Sequence, residues 1–202
     1  MLTTLIILAG GKSRRMGQDK AFIRFQGEVL IRRIMDRLTG LAEEVIVIAP
    51  RPQAHLPEDI KTIPDLIPAR GPLGGLYTAL SAASHPIVVV VACDMPFVNP
   101  KLLTYQRDIL ISQDMDIVVP SSEKGLEPLH AVYRRDSCLP PVHSTLEAGE
   151  GQLVSWFQSV KVRILAPKEC KAFDPLGLTF LNVNTPKELK EAELLASENT
   201  ES

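Results

Sequence analysis

The chain has 202 residues, a formal net charge of −2 and 45% hydrophobic residues. This length suits one domain with a full core, and the composition is that of a globular protein rather than a disordered chain. The small net charge provides no field for general binding of nucleic acid or of a membrane surface, so any anion site must be local.

No apolar run reaches the roughly 18–20 residues needed to span a bilayer. The opening "MLTTLIILAGGKS" lacks the basic segment that begins a secretory signal. The cysteines Cys93, Cys138 and Cys170 do not have metal-ligand spacing. We therefore expect a cytoplasmic protein with reduced thiols.

Short apolar runs alternate with helical periods along the chain. Four runs are typical of strands covered on both faces. They are "LIIL" (Leu5–Leu8), "VIVIA" (Val45–Ala49), "IVVVVA" (Ile87–Ala92) and "DIVVP" (Asp116–Pro120). A further short strand is predicted at Lys61–Ile63.

Helices are predicted between these strands. In "EVLIRRIMDRLTGL" the apolar residues recur at helical spacing and the arginines occupy the other face. Another helix begins near Gly74, Asn99 is the expected N-cap of the next, and Thr185 with Glu188 forms a capping box. The alternation predicts an α/β fold, a three-layer Rossmann-like sandwich with a mostly parallel sheet. We expect one domain over residues 1–196 and a frayed tail at 197–202.

The segment "LAGGKSRRMGQDK" directly follows the first predicted strand. Gly10 and Gly11 let the chain turn sharply and bring backbone N–H groups close to an anion. The glycine spacing fits neither a Walker A loop nor a dinucleotide fingerprint. The cationic residues that follow are Lys12, Arg14, Arg15 and Lys20. Because they repel one another unless a polyanion neutralises them, they indicate a triphosphate site, with a solvated basic turn as the alternative.

A carboxylate, Asp94, stands at the end of the strand Ile87–Ala92. A carboxylate placed there is costly to bury unless it pairs or binds a cation. Ligands of such sheets sit at the carboxyl ends of the strands, so Asp94 is placed beside the glycine-rich loop and is a candidate Mg²⁺ ligand. A capping or loop aspartate is the alternative.

Polar residues in the second half suggest a further site. Asn182 and Asn184 alternate along a predicted strand and so face the same side, with Val183 opposite. Two amides on one face suit a polar heterocycle or a phosphate, and strand-end hydrogen bonding is the alternative. His130 is a candidate general base, although its apolar neighbours favour a structural role.

The loop "LAGGKSRRMGQDK" resembles the signature LAGG-x-S-x-R-M-G-x-D-K of the nucleotidyltransferases that attach a nucleotide to the molybdenum cofactor. Four more patches, in that family's order, are similar to it: "PDLIPARGPLGG", "CDMP", "EPLHAVY" and "FLNVNTP". The "GG" and "MGQDK" forms favour the guanylyltransferase branch.

The resemblance implies a fold of the nucleotide-diphospho-sugar transferase type and the transfer of GMP from GTP to the terminal phosphate of molybdenum-molybdopterin. It implies a nucleotide-binding half near residues 1–115, an acceptor-binding half near 116–196, and Mg²⁺ as cofactor. The implied catalytic residues are Lys20, Arg15 and Asp94, of which Asp94 holds the metal. The implied nucleotide-binding residues are Leu8, Ala9, Gly10, Gly11, Lys12, Lys20, Asp65, Gly71 and Asp94. Asn182 and Asn184 are the implied acceptor-binding residues.

Two alternative functions stay open. One is a related nucleotidyltransferase that uses CTP on molybdopterin or acts on a sugar phosphate; the other is a non-catalytic carrier of nucleotide or cofactor. The segment "VIVIAPRPQ" lacks an asparagine that the family often has near the end of the second strand, so one nucleotide contact is in doubt. We expect a monomer that binds GTP and molybdopterin and makes transient contacts with other molybdenum cofactor proteins or molybdoenzymes.

Overall fold

The computed structural model describes residues 1–10, 23–50, 56–58 and 60–200. Its strands are β1 (Thr3–Leu8), β2 (Arg24–Phe25), β3 (Glu28–Val29), β4 (Glu44–Ile48), β5 (Lys61–Ile63), β6 (Ile87–Ala92), β7 (Ile117–Ser122), β8 (Gly125–Leu126), β9 (His130–Arg134) and β10 (Val162–Leu165). Its α-helices are α1 (Leu30–Arg37), α2 (Gly71–Ala82), α3 (Pro100–Ser112), α4 (Arg135–Glu147), α5 (Pro167–Lys171) and α6 (Pro186–Thr200).

The central sheet has the strand order β10-β7-β9-β6-β1-β4-β5, and β8 pairs with β7 outside this order. Strand β9 is antiparallel to both of its neighbours, whereas the other pairs along the order are parallel. Leu8 of β1 is in register with Ile48 of β4 and with Ala92 of β6. These strands therefore end together, at what we call the carboxyl edge of the sheet.

Both faces of the sheet are covered by helices. Leu5 and Ile7 of β1 lie in one core cluster with buried residues of α1, α3 and α6. Ile6 and Leu8 lie in a second cluster with buried residues of α2 and α4. Successive side chains of a strand point to opposite faces, so the two clusters are the two interfaces of an α/β/α sandwich. The predicted fold class is confirmed.

The runs predicted as strands are present as β1, β4, β6 and β7, each within two residues of its predicted bounds, and β5 has the predicted bounds. The predicted N-cap of α3 is also present, because Asn99 Oδ1 accepts a hydrogen bond from the Leu102 N–H at 3.1 Å. At the start of α6, Thr185 Oγ1 accepts from the Glu188 N–H at 3.2 Å. Helix α2 begins at Gly71, earlier than the predicted start near Gly74.

Two predictions near the end of the chain need correction. Residues 181–184 do not form a strand, because the Val183 N–H bonds to the backbone oxygen of Asp94 at 2.9 Å rather than to a neighbouring strand. The predicted alternation remains, since Val183 is buried and the asparagines on either side are partly exposed. Helix α6 continues to Thr200, four residues into the expected frayed tail, and the Ser197 hydroxyl bonds to the Glu193 carbonyl there.

The cysteines Cys93, Cys138 and Cys170 are free and buried. None of the helices in the described ranges is both long and apolar enough to cross a bilayer.

Candidate active site

The carboxyl edge brings together the segments that follow β1, β5 and β6. Backbone hydrogen bonds extend the ladder one residue beyond the strand ends. The Ala9 N–H donates to Ile48 O at 2.8 Å, and the Cys93 N–H donates to Leu8 O at 3.0 Å. Because these bonds fix the backbone on both sides of β1, Gly10 and Asp94 leave the sheet next to each other.

Asp94 is only 8% exposed, and the segment behind it is held by two arginines of α1. Arg33 Nε donates to Pro96 O at 3.4 Å and Arg37 Nε donates to Val98 O at 3.0 Å. Burial, together with the charge of Arg33, lowers the pKa of Arg37. Helix α1 therefore supports the loop that presents the Asp94 carboxylate.

The carboxylate of Asp65 lies between two glycines that belong to different segments of the site. A Cβ atom on Gly10 would be 3.6 Å from Asp65 Oδ2, and one on Gly75 would be 3.9 Å from Oδ1. Oδ1 is buried and has no hydrogen-bond partner in the part of the chain that the structure describes. Burial raises the pKa of Asp65. A buried acceptor oxygen without a donor indicates a place for a ligand N–H.

The start of α2 completes this side of the site. Gly71 is the first residue of the helix and has a φ of +61°, a conformation that glycine adopts without strain. The Thr78 hydroxyl accepts from the Leu66 N–H at 3.0 Å and bonds to Gly74 O at 3.0 Å. This bridge attaches the residue after Asp65 to α2, so the carboxylate is carried on a rigid element.

The structure thus brings together Leu8, Ala9, Gly10 and Asp65 among the nucleotide-binding residues expected from the sequence, with Asp94 at the adjacent strand end. Gly11, Lys12, Arg14, Arg15 and Lys20 lie outside the described residues. So do residues 51–53, the end of the segment in which the family often has an asparagine. Their roles stay predictions.

On the other side of Asp94, the segment 182–184 supplies polar groups. Asn182 Oδ1 is a buried acceptor with no partner in the described ranges. The Asn184 N–H donates to Glu188 Oε2 at 2.7 Å, which ties this segment to the first turn of α6. Asn182 therefore has a buried acceptor oxygen that a ligand N–H could reach, and the Asn184 backbone is fixed by α6.

His130 has the environment of a structural residue. Its side chain is fully buried, its Nε2 accepts from the Asn99 N–H at 3.4 Å, and its ring packs edge-on against Phe180. Burial lowers the pKa of His130 to about 4. A neutral ring whose Nε2 is already an acceptor is poorly placed to take a proton from a substrate.

A pair that the sequence did not single out lies beside this histidine, although the resemblance implied an acceptor-side role for the patch that begins at Glu127. Ser122 Oγ donates to Glu127 Oε1 at 2.6 Å, and both side chains are half-buried. The sequence does show a carboxylate just before the apolar strand "HAVY". It does not show that β9 is antiparallel, and this direction is what brings Glu127 to the carboxyl edge.

The residues present fit a magnesium site of the usual kind. The described part of the chain holds no cluster of three or more His, Cys, Asp or Glu side chains suited to a metal. Magnesium is commonly held by one or two carboxylates together with substrate phosphates and water. A single mostly buried carboxylate at Asp94, at a strand end next to Gly10, matches the protein's part of that donor set.

Comparisons with known proteins agree on one family. Residues 5–163 match the MobA-like NTP transferase domain. A protein of Pelotomaculum thermopropionicum named "Probable molybdenum cofactor guanylyltransferase" is 36% identical over 193 residues, which cover 96% of this chain and 93% of that protein. The "Molybdenum cofactor guanylyltransferase" of Desulfosudis oleivorans is 35% identical over 193 residues, 94% of each chain.

Among solved structures, molybdopterin-guanine dinucleotide biosynthesis protein A from Archaeoglobus fulgidus has the same fold. It superposes with a TM-score of 0.83 at 24% identity, over 96% of this chain and 99% of that one. The family match spans most of the sandwich, and the relatives match nearly the whole chain. The chain therefore belongs to the family of MobA-like NTP transferases, as its glycine-rich loop predicted.

Proposed function

We propose that this protein transfers GMP from GTP to the terminal phosphate of molybdenum-molybdopterin, giving the guanine dinucleotide form of the cofactor and pyrophosphate. The names of its full-length relatives support this reaction. The structural observation that carries it is the Asp65 carboxylate, which lies against Gly10 and has a buried oxygen with no hydrogen-bond partner among the described residues. Gly10 in turn leaves the sheet next to Asp94.

In this reaction an oxygen of the acceptor phosphate forms a bond to the α-phosphorus of GTP. The bond from that phosphorus to the bridging oxygen breaks, and pyrophosphate leaves with the bond electrons. Such catalysis depends on positioning and on stabilisation of charge rather than on a covalent enzyme intermediate. The acceptor phosphate is already an anionic nucleophile, so a neutral, buried His130 is no obstacle.

Each charged residue has a proposed role. Lys20 neutralises the α-phosphate, while Arg15, with Arg14, neutralises the departing pyrophosphate. Asp94 holds Mg²⁺, which when bound supplies positive charge to the phosphates. Asp65 accepts hydrogen bonds from the base. Residues 1–115 form the nucleotide-binding half and residues 116–196, with Asn182 and Asn184, the acceptor-binding half.

The experiment that tests the function is release of pyrophosphate from GTP, CTP or ATP, each with Mg²⁺ and molybdenum-loaded molybdopterin. We expect release with GTP. Release with CTP alone would keep the mechanism and replace the guanylyl group by a cytidylyl group. Binding of nucleotide without release would favour a carrier.

A substitution at the proposed metal ligand tests the mechanism. We expect Asp94→Asn to reduce kcat by at least about 100-fold, because removing one electrostatic contact to the reacting groups commonly has that effect. Lys20→Ala is expected to act in the same direction. Both proteins should keep the wild-type circular dichroism spectrum.

The control is Asp108→Asn on α3, since that carboxylate is exposed and pairs only with its neighbour Arg107 among the described residues. Its activity should equal that of the wild type. An Asp94→Asn protein that retained near-wild-type turnover would contradict the assigned role.

A further inference from the structure

Glu127 occupies the carboxyl edge on the acceptor side of Asp94. Its N–H donates to Pro120 O on β7 at 2.9 Å, and the carbonyl of Leu129 accepts from the Ala92 N–H on β6 at 3.0 Å. Because β9 is antiparallel to β6, the residues that precede β9 lie beside the residues that follow β6. Glu127 and Asp94 therefore leave the same edge of the sheet.

The carboxylate of Glu127 is fixed in orientation before any ligand binds. Ser122 Oγ donates to Oε1 at 2.6 Å and itself accepts from the Lys124 N–H at 3.0 Å. Burial raises the pKa of Glu127, against the smaller opposing effects of the Ser122 hydroxyl and of the charge of Lys124. Across the described ranges Glu127 forms no ion pair. A half-buried carboxylate that is not in a close ion pair is an acceptor for ligand N–H groups.

A second acceptor lies near Asp94. The Val183 N–H bonds to Asp94 O, so Asn182 is one residue from a direct backbone contact with the metal-binding loop. Asn182 Oδ1 is buried and has no hydrogen-bond partner among the residues described. Glu127 and Asn182 thus present hydrogen-bond acceptors on this side of Asp94, and a ligand with several N–H donors would match them.

We propose that Glu127, oriented by Ser122, binds the paired N–H donors of the acceptor's pterin ring. The inference rests on the proposed function, which makes a pterin the acceptor. The 2-amino group and the adjacent ring N–H of a pterin lie side by side, and the two oxygens of a carboxylate match them. A charge-assisted pair of this kind contributes both affinity and geometric selectivity.

Steady-state kinetics separate this role from catalysis. Glu127→Gln should raise the KM for the molybdopterin acceptor about 10- to 100-fold, the range expected for loss of a hydrogen bond to a charged group. The KM for GTP should stay within about twofold of the wild type. Ser122→Ala should shift the acceptor KM in the same direction, and Ser122→Thr, which keeps the hydroxyl, should restore it.

The matched control is Glu123→Gln, because Glu123 is exposed on the same hairpin. Its kinetic constants should be those of the wild type. An unchanged acceptor KM in Glu127→Gln would overturn the proposal, and so would an equal rise in the KM values for acceptor and GTP.

A binding experiment gives a readout that does not depend on turnover. Pterin and lumazine differ at position 2, where lumazine has a carbonyl in place of the amino group. The wild-type protein, saturated with Mg-GTP, should bind pterin at least about tenfold more tightly than lumazine, measured by fluorescence titration. Glu127→Gln, whose amide has both a donor and an acceptor, should lose most of this preference.

Equal binding of the two probes by the wild type would overturn the inference about Glu127. If pyrophosphate release fails with every nucleotide while the pterin preference and its dependence on Glu127 are found, the proposed reaction fails and the binding role stands. The two hypotheses can therefore fail separately.

Discussion

The carboxylate of Asp65 has a proposed role in nucleotide binding and also lowers the stability of the ligand-free protein. Burial raises its pKa, so the folded protein binds the proton more tightly than the unfolded chain does. The stabilising contribution of this proton is complete below the unfolded pKa of about 3.9 and is lost as pH rises through the folded pKa. At neutral pH the carboxylate therefore destabilises the free protein.

This reasoning predicts that Asp65→Asn raises the stability of the ligand-free protein at pH 7 and weakens GTP binding about tenfold. The stability gain should shrink as the pH is lowered toward the folded pKa of Asp65. Urea unfolding across pH and calorimetric titration with GTP would measure the two effects. Asp36→Asn, on the exposed side of α1, is the control and should change neither quantity. A less stable variant with unaltered GTP affinity would refute both parts.

How well a single residue could be interpreted from the sequence depended on its neighbours along the chain. Asp94 was recognisable because it ends an unbroken apolar strand, and Asn99 because a proline follows it. Asp65 was placed by resemblance alone, since its environment is formed by Gly10 and Gly75 from distant parts of the chain. The position of Glu127 could not be predicted, because it depends on the direction of β9 and an apolar strand pattern does not reveal that direction.

At the scale of elements, the start of α2 shows why two adjacent glycines are not equivalent. A Cβ on Gly74 would be 2.9 Å from Arg70 Cβ and 3.0 Å from Ile67 O, closer than normal contact. A Cβ on Gly75 would be 3.6 Å from Leu8 Cδ1, an ordinary van der Waals distance. At Gly74 the helix therefore needs glycine for its own packing, whereas Gly75 has room for a methyl group.

We therefore expect Gly74→Ala to destabilise the protein by about 1–3 kcal/mol, the usual cost of forcing extra volume into a packed site. Gly75→Ala should be neutral or stabilising by up to about 1 kcal/mol, because alanine favours helix over glycine. Urea denaturation of both variants gives the comparison. A Gly74→Ala protein as stable as Gly75→Ala would show that the neighbours of Gly74 shift to make room for the methyl group.

Helix α4 was not predicted from the sequence, because its residues disfavour a helix. Pro140 and Pro141 lie inside Arg135–Glu147, where proline removes backbone hydrogen bonds and costs about 3 kcal/mol. Cys138, Val142 and Leu146 of this helix are nevertheless buried in the second core cluster. Burial against the sheet offsets the local cost, and local sequence patterns do not contain that contribution.

On the scale of the whole molecule, the last helix is part of the core formed by the first. Ala192 and Ala196 of α6 lie in the cluster that contains α1 and α3, and Glu193 Oε1 accepts from the Gln26 N–H at 2.7 Å. The halves distinguished by the sequence are thus joined by packing across them, and the sequence could not show this because it depends on contacts between the two ends.

Removal of α6 tests that integration. Deleting residues 186–202 should destabilise the protein by at least about 2 kcal/mol and lower its Tm by at least about 4 °C, because buried contacts of Ala192 and Ala196 with the first core cluster are lost. Deleting only residues 198–202 keeps both alanines and should leave the Tm nearly unchanged. Differential scanning calorimetry measures both. If the longer deletion had the same Tm as the full-length protein, α6 would contribute little to the stability of the core.

The reversed direction of β9 has a consequence for how such enzymes diversify. The site residues next to β1, β5 and β6 follow these strands along the chain, whereas Glu127 precedes β9. With Glu127 in its proposed role, insertions or substitutions between Ser122 and Leu129 would reshape the acceptor side of the site without displacing the strands on the nucleotide side. Such a chain can evolve toward a new acceptor by remodelling one hairpin while its choice of nucleotide is inherited intact.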